Sequence, residues 1–481
     1  MGSAELDLKP CSVKTKSGRY PADCGTLIVP ENRSKPGSRQ ITLPVLRIRA
    51  ISQQPAEPIF YLTGGPGMSN MGFKPPAQLL AHHDIVLVGY RGVDGSVVLD
   101  CPAMQRALKG TGKDLLSPAS LANLAKAAAE DSQRLQQKGV DLDGYTIPEV
   151  IADLEDACLA FGYERVNLLS ESYGTRIAQI YAWQHPERVY RSVLIGVNPP
   201  GRFVWDPGMV DEQLEYDGRL WAQSPQGRAR SGSLVETMRS VAHDMPGRWL
   251  LLPINPGKVK AAAFVMLFNR KNTAMVYDAF FAAGRGDPSG LALMSLMFDL
   301  IVPSMFTWGD FFSKGFSADY DPSRDYATEL DPPGSILGSP LSYLFWGSGL
   351  AWPVKRIPDE YQQEQSTDVE TLLVSGSIDF STPAEYASRE LLPGLRRGHQ
   401  VILPEMGHVG DVWGLQPEAT LHLLTTFYDS GRVDDSHFHY QPMDFRVPMG
   451  FPKLAKIAVG VVACVFLLIA AVIAFATRRF R

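Results

Sequence analysis

The sequence predicts an α/β fold, in which a mostly parallel sheet carries helices on both faces. Short apolar runs alternate with longer amphipathic runs along most of the 481 residues, and the short runs end in loops rich in Gly and Pro. A long stretch without charge at the C-terminus adds a candidate membrane helix. Because open sheets of this kind bind ligands at the carboxyl ends of their strands, we expect the functional residues there.

Two apolar runs, 25–30 (GTLIVP) and 41–50 (ITLPVLRIRA), are predicted to open the sheet as an antiparallel pair. Further strands ending in Gly or Pro loops are predicted at 58–67, 84–92, 165–172, 191–201, 371–379 and 399–408. Apolar residues at helical spacing predict helices over 121–137, 147–161 and 176–185.

The alternation of strands and helices stops between residues 201 and 358. This stretch is rich in Met, Phe, Trp and Pro, and is typical of irregular helices that fold over a sheet as a lid. We expect most of its aromatic side chains to be core, although a lid must present some apolar surface to whatever it covers. The predicted organisation is an α/β core at 1–200 and 359–430, a lid at 201–358, a linker at 431–456 and a transmembrane helix at 457–477.

Residues 457–476 (IAVGVVACVFLLIAAVIAFA) contain no charged side chain. At ~1.5 Å per residue a helix of this length spans roughly the 30 Å of a bilayer core. A buried core helix is the alternative, but such helices rarely lack every polar position over this length. Basic residues do not fix the orientation, because they stand on both sides of the span, at Arg446, Lys453, Lys456, Arg478, Arg479 and Arg481.

The cysteines bear on the compartment. Cys464 lies within the apolar span, which leaves Cys11, Cys24, Cys101 and Cys158. These four allow two disulfides in an oxidising compartment, with Cys11 and Cys24 the nearer pair, or four reduced thiols. The N-terminus lacks the apolar core of a signal peptide, which argues against export unless a leader has been removed.

The charge balance excludes nucleic acid as an expected partner. Lys and Arg number 46 against 51 Asp and Glu, giving a net charge of -5 with no basic stripe. No cofactor and no metal are predicted, since no Cys/His cluster has zinc spacing. His437 and His439 in the linker lack a third ligand, so we interpret them as surface residues. The sequence leaves the oligomeric state open.

A candidate nucleophile, Ser172, lies within the stretch 170–174 (SESYG), between an apolar strand and a helix. A serine on a sharp strand-to-helix turn needs small residues two positions before and after it, and Ser170 and Gly174 meet this need. The bare pattern also fits an ordinary turn serine. Its placement at the end of a long apolar strand favours the nucleophile.

A serine hydroxyl needs a base, and the base needs a residue that orients it. Asp379 and His408 follow Ser172 in the order Ser, Asp, His, each at the end of one of the last two strands. Asp379 would orient His408, which would act as general base and then general acid. Glu405 and Asp411 flank His408, and we expect both on the surface.

The oxyanion that forms during acyl transfer needs N–H donors. The run TGGPG, 63–67, offers the N–H of Gly64 or Gly65, which would converge with the N–H of Tyr173. Arg91, in a nearby loop, is expected to anchor the adjacent loops rather than to act in catalysis.

Several of these motifs together resemble one family. GGPG, RGVDGS, FGYERVNLLSESYGT, SGSIDFSTP and MGH are similar to the proline iminopeptidase and tripeptidyl aminopeptidase group of α/β-hydrolases, over most of residues 24–430. The resemblance implies an α/β-hydrolase fold and a serine peptidase that removes residues from the free N-terminus of peptides. It also implies a triad of Ser172, Asp379 and His408, and CGTLIVPENR resembles the secreted members.

The sequence departs from the family at three places. Thr63 stands where many relatives have His or Asn, Gly89-Tyr90 replaces the usual Asp-Gln before Arg-Gly, and Ser170 replaces the commoner glycine of the elbow. These departures leave the substrate open. Aminopeptidases of this group also use carboxylates in the lid to bind the ammonium group of the substrate. The candidates here are Asp211, Glu212 and Glu215, although their positions are explained equally well by a solvated helix face.

The resulting hypothesis is a membrane-anchored serine hydrolase, an aminopeptidase that works through an acyl-enzyme on Ser172. The alternatives are an esterase or lipase-like hydrolase of apolar esters, and a catalytically inactive binding module. The partners are a peptide or small acyl substrate and the lipid bilayer. We expect the catalytic domain outside the cytoplasm, in the periplasm or at the cell surface, with the arginine tail inside.

Overall fold

A nine-stranded sheet forms the centre of the molecule. The computed structural model describes residues 5–229 and 232–479. The strands are β1 (Glu5–Thr15), β2 (Gly18–Pro30), β3 (Gln40–Ile48), β4 (Ala56–Leu62), β5 (His83–Val88), β6 (Val166–Glu171), β7 (Val189–Ile195), β8 (Arg248–Trp249), β9 (Leu252–Pro253), β10 (Glu370–Gly376) and β11 (Gly398–Leu403). The sheet order is β1-β2-β3-β5-β4-β6-β7-β10-β11, and β8 and β9 form a separate small hairpin.

The helices separate the strands and close the chain. They are α1 (Pro102–Lys109), α2 (Pro118–Gln137), α3 (Ile147–Phe161), α4 (Tyr173–Gln184), α5 (Pro207–Gln223), α6 (Pro225–Ala229), α7 (Leu234–His243), α8 (Pro256–Met266), α9 (Arg270–Gly284), α10 (Ser289–Ile301), α11 (Trp308–Ala318), α12 (Tyr326–Glu329), α13 (Pro340–Phe345), α14 (Ala384–Tyr386), α15 (Val409–Gly414), α16 (Pro417–Ser430) and α17 (Phe451–Arg479).

The pairing of strands follows the predicted class. From β5 through β4, β6, β7, β10 and β11 all neighbours are parallel, whereas β1, β2, β3 and β5 pair antiparallel. All six residues of β5 are buried, because Val86 and Val88 pack into one apolar cluster and Ile85 and Leu87 into another. Burial on both faces is what helices on both sides of a sheet produce.

The predicted antiparallel opening pair is confirmed as β2 and β3, but a further strand precedes it. β1 alternates exposed and half-buried residues at the sheet edge, so it lacks the apolar run that would have predicted it. A disulfide joins Cys11 of β1 to Cys24 of β2. Cys101 and Cys158 are free and buried, so both the second disulfide and the four-thiol alternative are wrong.

In the described part of the chain between β7 and β10, where the sequence predicted the lid, the structure has nine helices, α5 to α13. Much of their aromatic content is core, as expected: Trp308, Phe312 and Phe345 are almost wholly buried and pack against one another. That residues 201–358 form a separate lid remains a prediction.

Arg91 anchors loops, as predicted. Its guanidinium is fully buried and donates to both carboxylate oxygens of Asp153 at 2.6 Å. It also donates to the carbonyl oxygens of Glu31 and Gly144, each at 2.6 Å. Arg91 therefore fixes the loop after β5 against the loop after β2 and against α3.

The C-terminal helix α17 begins at Phe451, inside the predicted linker. Its first turn packs on the body of the protein, where the Ser289 hydroxyl contacts the Pro452 carbonyl at 3.4 Å and Lys456 pairs with Asp287 at 2.6 Å. The large apolar side chains that the structure describes beyond this turn are exposed, Leu467 at 70%. In the described part of the chain, α17 is the one unbroken helix long and apolar enough to span a membrane.

The linker between α16 and α17 carries the two predicted surface histidines. The His437 ring stacks on the His422 ring with centroids 3.8 Å apart, and the His439 N–H donates to the Gln416 side chain. Within residues 5–229 and 232–479, no group of three or more His, Cys, Asp or Glu side chains is arranged to hold a metal ion.

Candidate active site

Ser172 occupies a strained turn between β6 and α4. Its backbone has φ 51° and ψ −126°, in the left-handed half of the map that non-glycine residues rarely adopt. The turn is held from both sides, since the Ser172 N–H donates to the Ile195 carbonyl at 2.9 Å and the Thr175 hydroxyl donates to the Ser172 carbonyl at 2.6 Å. This geometry presents the hydroxyl at the carboxyl end of the sheet.

The two small neighbours of the turn meet different constraints. A Cβ at Gly174 would lie 2.3 Å from the Leu62 carbonyl oxygen and 2.5 Å from that of Thr63, so only glycine fits. Ser170 is fully buried, and its hydroxyl donates to the Val193 carbonyl at 3.0 Å. The side chain that replaces the family's glycine thus bonds to β7 and leaves the turn intact.

Asp379 and His408 meet at the same edge of the sheet. The His408 Nδ1 lies 2.7 Å from the Asp379 Oδ2. Asp379 is buried, and its Oδ1 also accepts the N–H groups of Ser381 and Thr382 at 2.8 and 3.0 Å. These backbone hydrogen bonds fix the Asp379 carboxylate, and the fixed carboxylate in turn orients the His408 imidazole.

His408 adjoins the same cavity as Ser172. Both residues line one cavity of about 410 Å³. The backbone N–H of His408 donates to the Phe268 carbonyl at 2.6 Å, and the Phe268 ring packs edge to face against the imidazole. A Cβ at Gly196 would lie 2.8 Å from the His408 Cε1, so this glycine leaves the space that the ring occupies. The structure thus pairs Asp379 with His408 and places His408 and Ser172 along the same cavity.

The predicted oxyanion loop lies against the turn. A Cβ at Gly64 would fall 2.7 Å from the Ser172 Cβ and 3.3 Å from its Oγ, so the backbone approaches the nucleophile as only glycine allows. Gly65 has φ 117°, and Gly64, Gly65 and Tyr173 all line the cavity. Tyr173 is the first residue of α4, where backbone N–H groups have no partner within the helix.

Two side chains hold this loop, and the sequence analysis missed both. Asn70 accepts the Thr63 N–H at 2.8 Å and donates to the carbonyls of Tyr61 and Val88 at 2.9 Å, which ties the loop to β4 and β5. Asp310 of α11 accepts the Gly67 N–H at 3.0 Å. No spacing pattern would have identified Asn70.

Asp310 is fully buried and pairs with Lys314 one turn along α11. Burial raises the pKa of Asp310, while Lys314 opposes this rise. The Gly67 carbonyl in turn accepts the Thr307 N–H at 2.9 Å, so the start of α11 bonds to both sides of Gly67. An Asp and a Lys four residues apart in an otherwise aromatic stretch was the available signal for this pair.

The cavity walls are mostly apolar and come largely from the segment between β7 and β10. Among the residues that line it, those with large apolar side chains are Met68, Phe203, Trp205, Val265, Phe268, Val302, Met305, Phe306, Trp308, Phe311, Leu341 and Phe345. The aromatic stretch therefore contributes both core and cavity wall, where the sequence favoured core.

Glu171 is the carboxylate that the sequence analysis overlooked. It precedes Ser172, lines the cavity and accepts hydrogen bonds from the Tyr61 hydroxyl at 2.7 Å and the Trp413 Nε1 at 2.6 Å. Burial raises the pKa of Glu171, and the two hydrogen bonds oppose this rise. Its place beside the candidate nucleophile was visible in the sequence, but nothing there indicated which way it points.

The expectation that Glu405 and Asp411 lie on the surface is wrong, because both are only 6% exposed. Glu405 accepts the Tyr440 hydroxyl and the Met443 N–H, which come from the linker after α16. Asp411 accepts the Gly407 N–H at 2.9 Å and the Arg270 N–H at 3.0 Å. Neither replaces Asp379, since each serves other donors.

The three lid carboxylates named from the sequence lie elsewhere. None of them is among the described residues that line the cavity. Asp211 accepts the Ile336 N–H, while Glu212 and Glu215 are exposed on α5. The interpretation of Glu212 and Glu215 as residues on a solvated helix face is therefore supported.

A family model described as the alpha/beta hydrolase fold matches residues 57–309. The chain belongs to this family, and the predicted fold class is confirmed. It is a hydrolase of α/β fold.

Among characterised proteins the chain is similar to two tripeptidyl aminopeptidases. The one from Streptomyces coelicolor is 29% identical over 235 residues, 45% of this chain and 42% of the relative. The one from Streptomyces lividans is 29% identical over 233 residues, which are 45% of this chain and 43% of the relative. The predicted family resemblance is thereby confirmed, although the match spans less than half of either relative.

Among solved structures, a serine hydrolase from Cycloclasticus zankles aligns with 89% of this chain and 100% of its own at 13% identity and a TM-score of 0.36. An α/β-hydrolase from a deep-sea metagenome aligns with 83% of this chain and 97% of its own, also at 13% identity, with a TM-score of 0.40.

The close packing of Gly64 against Ser172 can be tested by substitution. In Gly64→Ala the added methyl would collide with the Ser172 side chain, and we expect the rate of modification by a fluorophosphonate to fall by roughly 10²-fold, the scale of losing one oxyanion donor. Gly72→Ala, on the same loop with open space around its Cβ, is the matched control and should react like the wild type. Equal rates for all three proteins would show that this loop does not adjoin the reacting hydroxyl.

Proposed function

We propose that this hydrolase is a membrane-anchored serine aminopeptidase that releases residues from the free N-terminus of peptides. The observation that carries the proposal is the meeting of Ser172, on its strained turn, with the His408 and Asp379 pair at one cavity. Its two named relatives are tripeptidyl aminopeptidases, which favours a peptide bond near a free N-terminus as the substrate.

In the proposed reaction, His408 takes the proton of the Ser172 hydroxyl as its oxygen attacks the scissile carbonyl. Asp379 holds the Nδ1 side of the ring, so the other ring nitrogen receives this proton. The oxyanion accepts N–H groups from Tyr173 and from Gly64 or Gly65. His408 then protonates the leaving amine, and water hydrolyses the acyl-enzyme by the same route.

A second candidate is an esterase or lipase-like activity on apolar esters. The observation that favours it is the cavity wall, which is mostly aliphatic and aromatic. The same wall suits a peptide whose N-terminal residues are apolar, so the cavity alone does not separate the two reactions.

We infer that α17 anchors the enzyme in a bilayer. Most of the apolar side chains described from Ile457 onward are exposed, and such an apolar surface is unfavourable in water at roughly 25 cal/mol per Å². The docked first turn keeps the body close to the membrane. Leu296, Leu300 and Ile301 of α10, the helix against which α17 packs, are exposed as well.

The division of the chain and its orientation are parts of the same proposal. Residues 1–200 and 359–430 form the catalytic core, and residues 201–358 cover the site. The disulfide between Cys11 and Cys24 supports an oxidising compartment for the catalytic domain. We therefore propose that the arginine tail lies in the cytoplasm.

The peptidase hypothesis predicts hydrolysis of aminoacyl or tripeptidyl arylamides that carry a free α-amine. Ser172→Ala should lower kcat by about 10⁴-fold or more, because the nucleophile is lost. Ser170→Ala is the control, since its hydroxyl bonds to β7 and it should retain turnover. Release of arylamine is the measurement.

Three outcomes would contradict the aminopeptidase. Cleavage only of N-terminally blocked peptides would exclude it, and turnover only of p-nitrophenyl esters would favour the esterase. If neither substrate gave turnover that depends on Ser172, the fold would serve as a binding module.

The anchor hypothesis predicts that the full chain stays in the membrane fraction after washing at alkaline pH, while a variant ending at residue 456 is released. External protease should degrade the catalytic domain in intact cells. Release of the full chain by the wash would contradict the anchor, and protection of the domain from protease would reverse the orientation.

A further inference from the structure

Glu171 is a carboxylate in the cavity that the proposed mechanism does not use. It ends β6, directly before Ser172, and lines the same cavity. Its Oε2 accepts the Tyr61 hydroxyl at 2.7 Å and its Oε1 accepts the Trp413 Nε1 at 2.6 Å. Since a carboxylate has about four acceptor positions, each oxygen retains acceptor capacity beyond its one hydrogen bond.

The charge of Glu171 has no permanent counter-charge. Both of its hydrogen-bond donors are neutral, and in the part of the chain that the structure describes no Lys or Arg makes an ion pair with it. Asp310, another buried acid beside the site, has Lys314 as its partner. A carboxylate held away from water without a cation is unfavourable, and an incoming cation would relieve this cost.

The remainder of the cavity offers no second carboxylate to a cation. Among its described lining residues Glu171 is the sole carboxylate, and the rest are mainly apolar, with the His408 imidazole and a few hydroxyl, amide and backbone groups. The lid acids Asp211, Glu212 and Glu215 do not line it. A substrate cation that enters this cavity therefore has one anionic partner.

We propose that Glu171 is the subsite for the substrate's α-ammonium group and makes the enzyme prefer a free amine to a blocked one. This inference rests on the proposed function and names the group that recognises the N-terminus. The ammonium donates to the carboxylate in charge-assisted hydrogen bonds, while Tyr61 and Trp413 hold the carboxylate in place.

Glu171 could instead act on His408, because a nearby carboxylate stabilises the imidazolium that forms in the reaction. The two roles differ in what they affect. Recognition of an ammonium matters only for substrates that carry one. Stabilisation of the imidazolium affects every reaction of Ser172, including that with an uncharged fluorophosphonate.

The test is Glu171→Gln in the full chain in detergent, which keeps the shape and removes the charge. We measure kcat/KM for amino-acid esters and arylamides with a free amine and for the same compounds acetylated on that amine. The preference for the free amine should fall by about 10- to 100-fold, the scale of losing a hydrogen bond to a charged group. The rate of Ser172 modification by a fluorophosphonate should stay near that of the wild type.

Glu405→Gln is the matched control. Glu405 is buried, accepts a tyrosine hydroxyl and a backbone N–H, and does not line the cavity, so its loss should leave the preference unchanged. An equal fall with free and blocked substrates in Glu171→Gln, together with slower fluorophosphonate modification, would overturn the proposal in favour of the role on His408. An unchanged preference would also overturn it.

The esters separate this inference from the proposed function. If the wild type cleaves esters but no peptide or arylamide, the aminopeptidase fails, while the comparison of free and acetylated amino-acid esters still tests Glu171.

Discussion

The site depends on one backbone constraint, the strained turn at Ser172. A serine with φ 51° persists only when its surroundings leave no alternative. Gly174 packs against the carbonyls of Leu62 and Thr63, and Gly64 packs against Ser172 itself, so β4, β6 and α4 meet with no room for another side chain. The hydrogen bond from the Ser172 N–H to Ile195 adds β7 to this junction. Ser172 therefore lies at the same edge of the sheet as Asp379 and His408, which follow β10 and β11.

The segment between β7 and β10 does more than cover this edge. Phe268 receives the His408 N–H, and the start of α11 bonds to both sides of Gly67 through Thr307 and Asp310. Two of the groups proposed for catalysis, the imidazole and the oxyanion loop, are thus positioned by the same segment that supplies the aromatic cavity wall. Changes in that wall are consequently expected to alter rate as well as substrate choice. Glu171 adds a carboxyl group to a cavity whose other walls are mostly apolar, which is the combination that the proposed peptide with a free N-terminus and apolar side chains would fit.

Local patterns were sufficient to predict most of the sheet and the proposed triad, because strand ends, small residues and the order of Ser172, Asp379 and His408 are all visible in sequence. Residues whose role depends on distant partners were not predictable. Asn70 and Asp310 matter through the backbone groups they hold, and Glu405 is buried by a linker that lies some 35 residues away, at Tyr440. The edge strand β1 was not predicted because it is half-exposed and carries no apolar run. The pairing of its Cys11 with Cys24 was nevertheless predicted correctly.

The central claim is that the Ser172 hydroxyl becomes covalently acylated during turnover. The most direct measurement is to mix the enzyme with an arylamide or ester substrate, quench in acid within the first turnover and locate the added mass by peptide mass spectrometry. The account predicts an acyl group on the peptide that contains Ser172. An acyl group on another residue, or substrate turnover with no covalent adduct at any time, would contradict it.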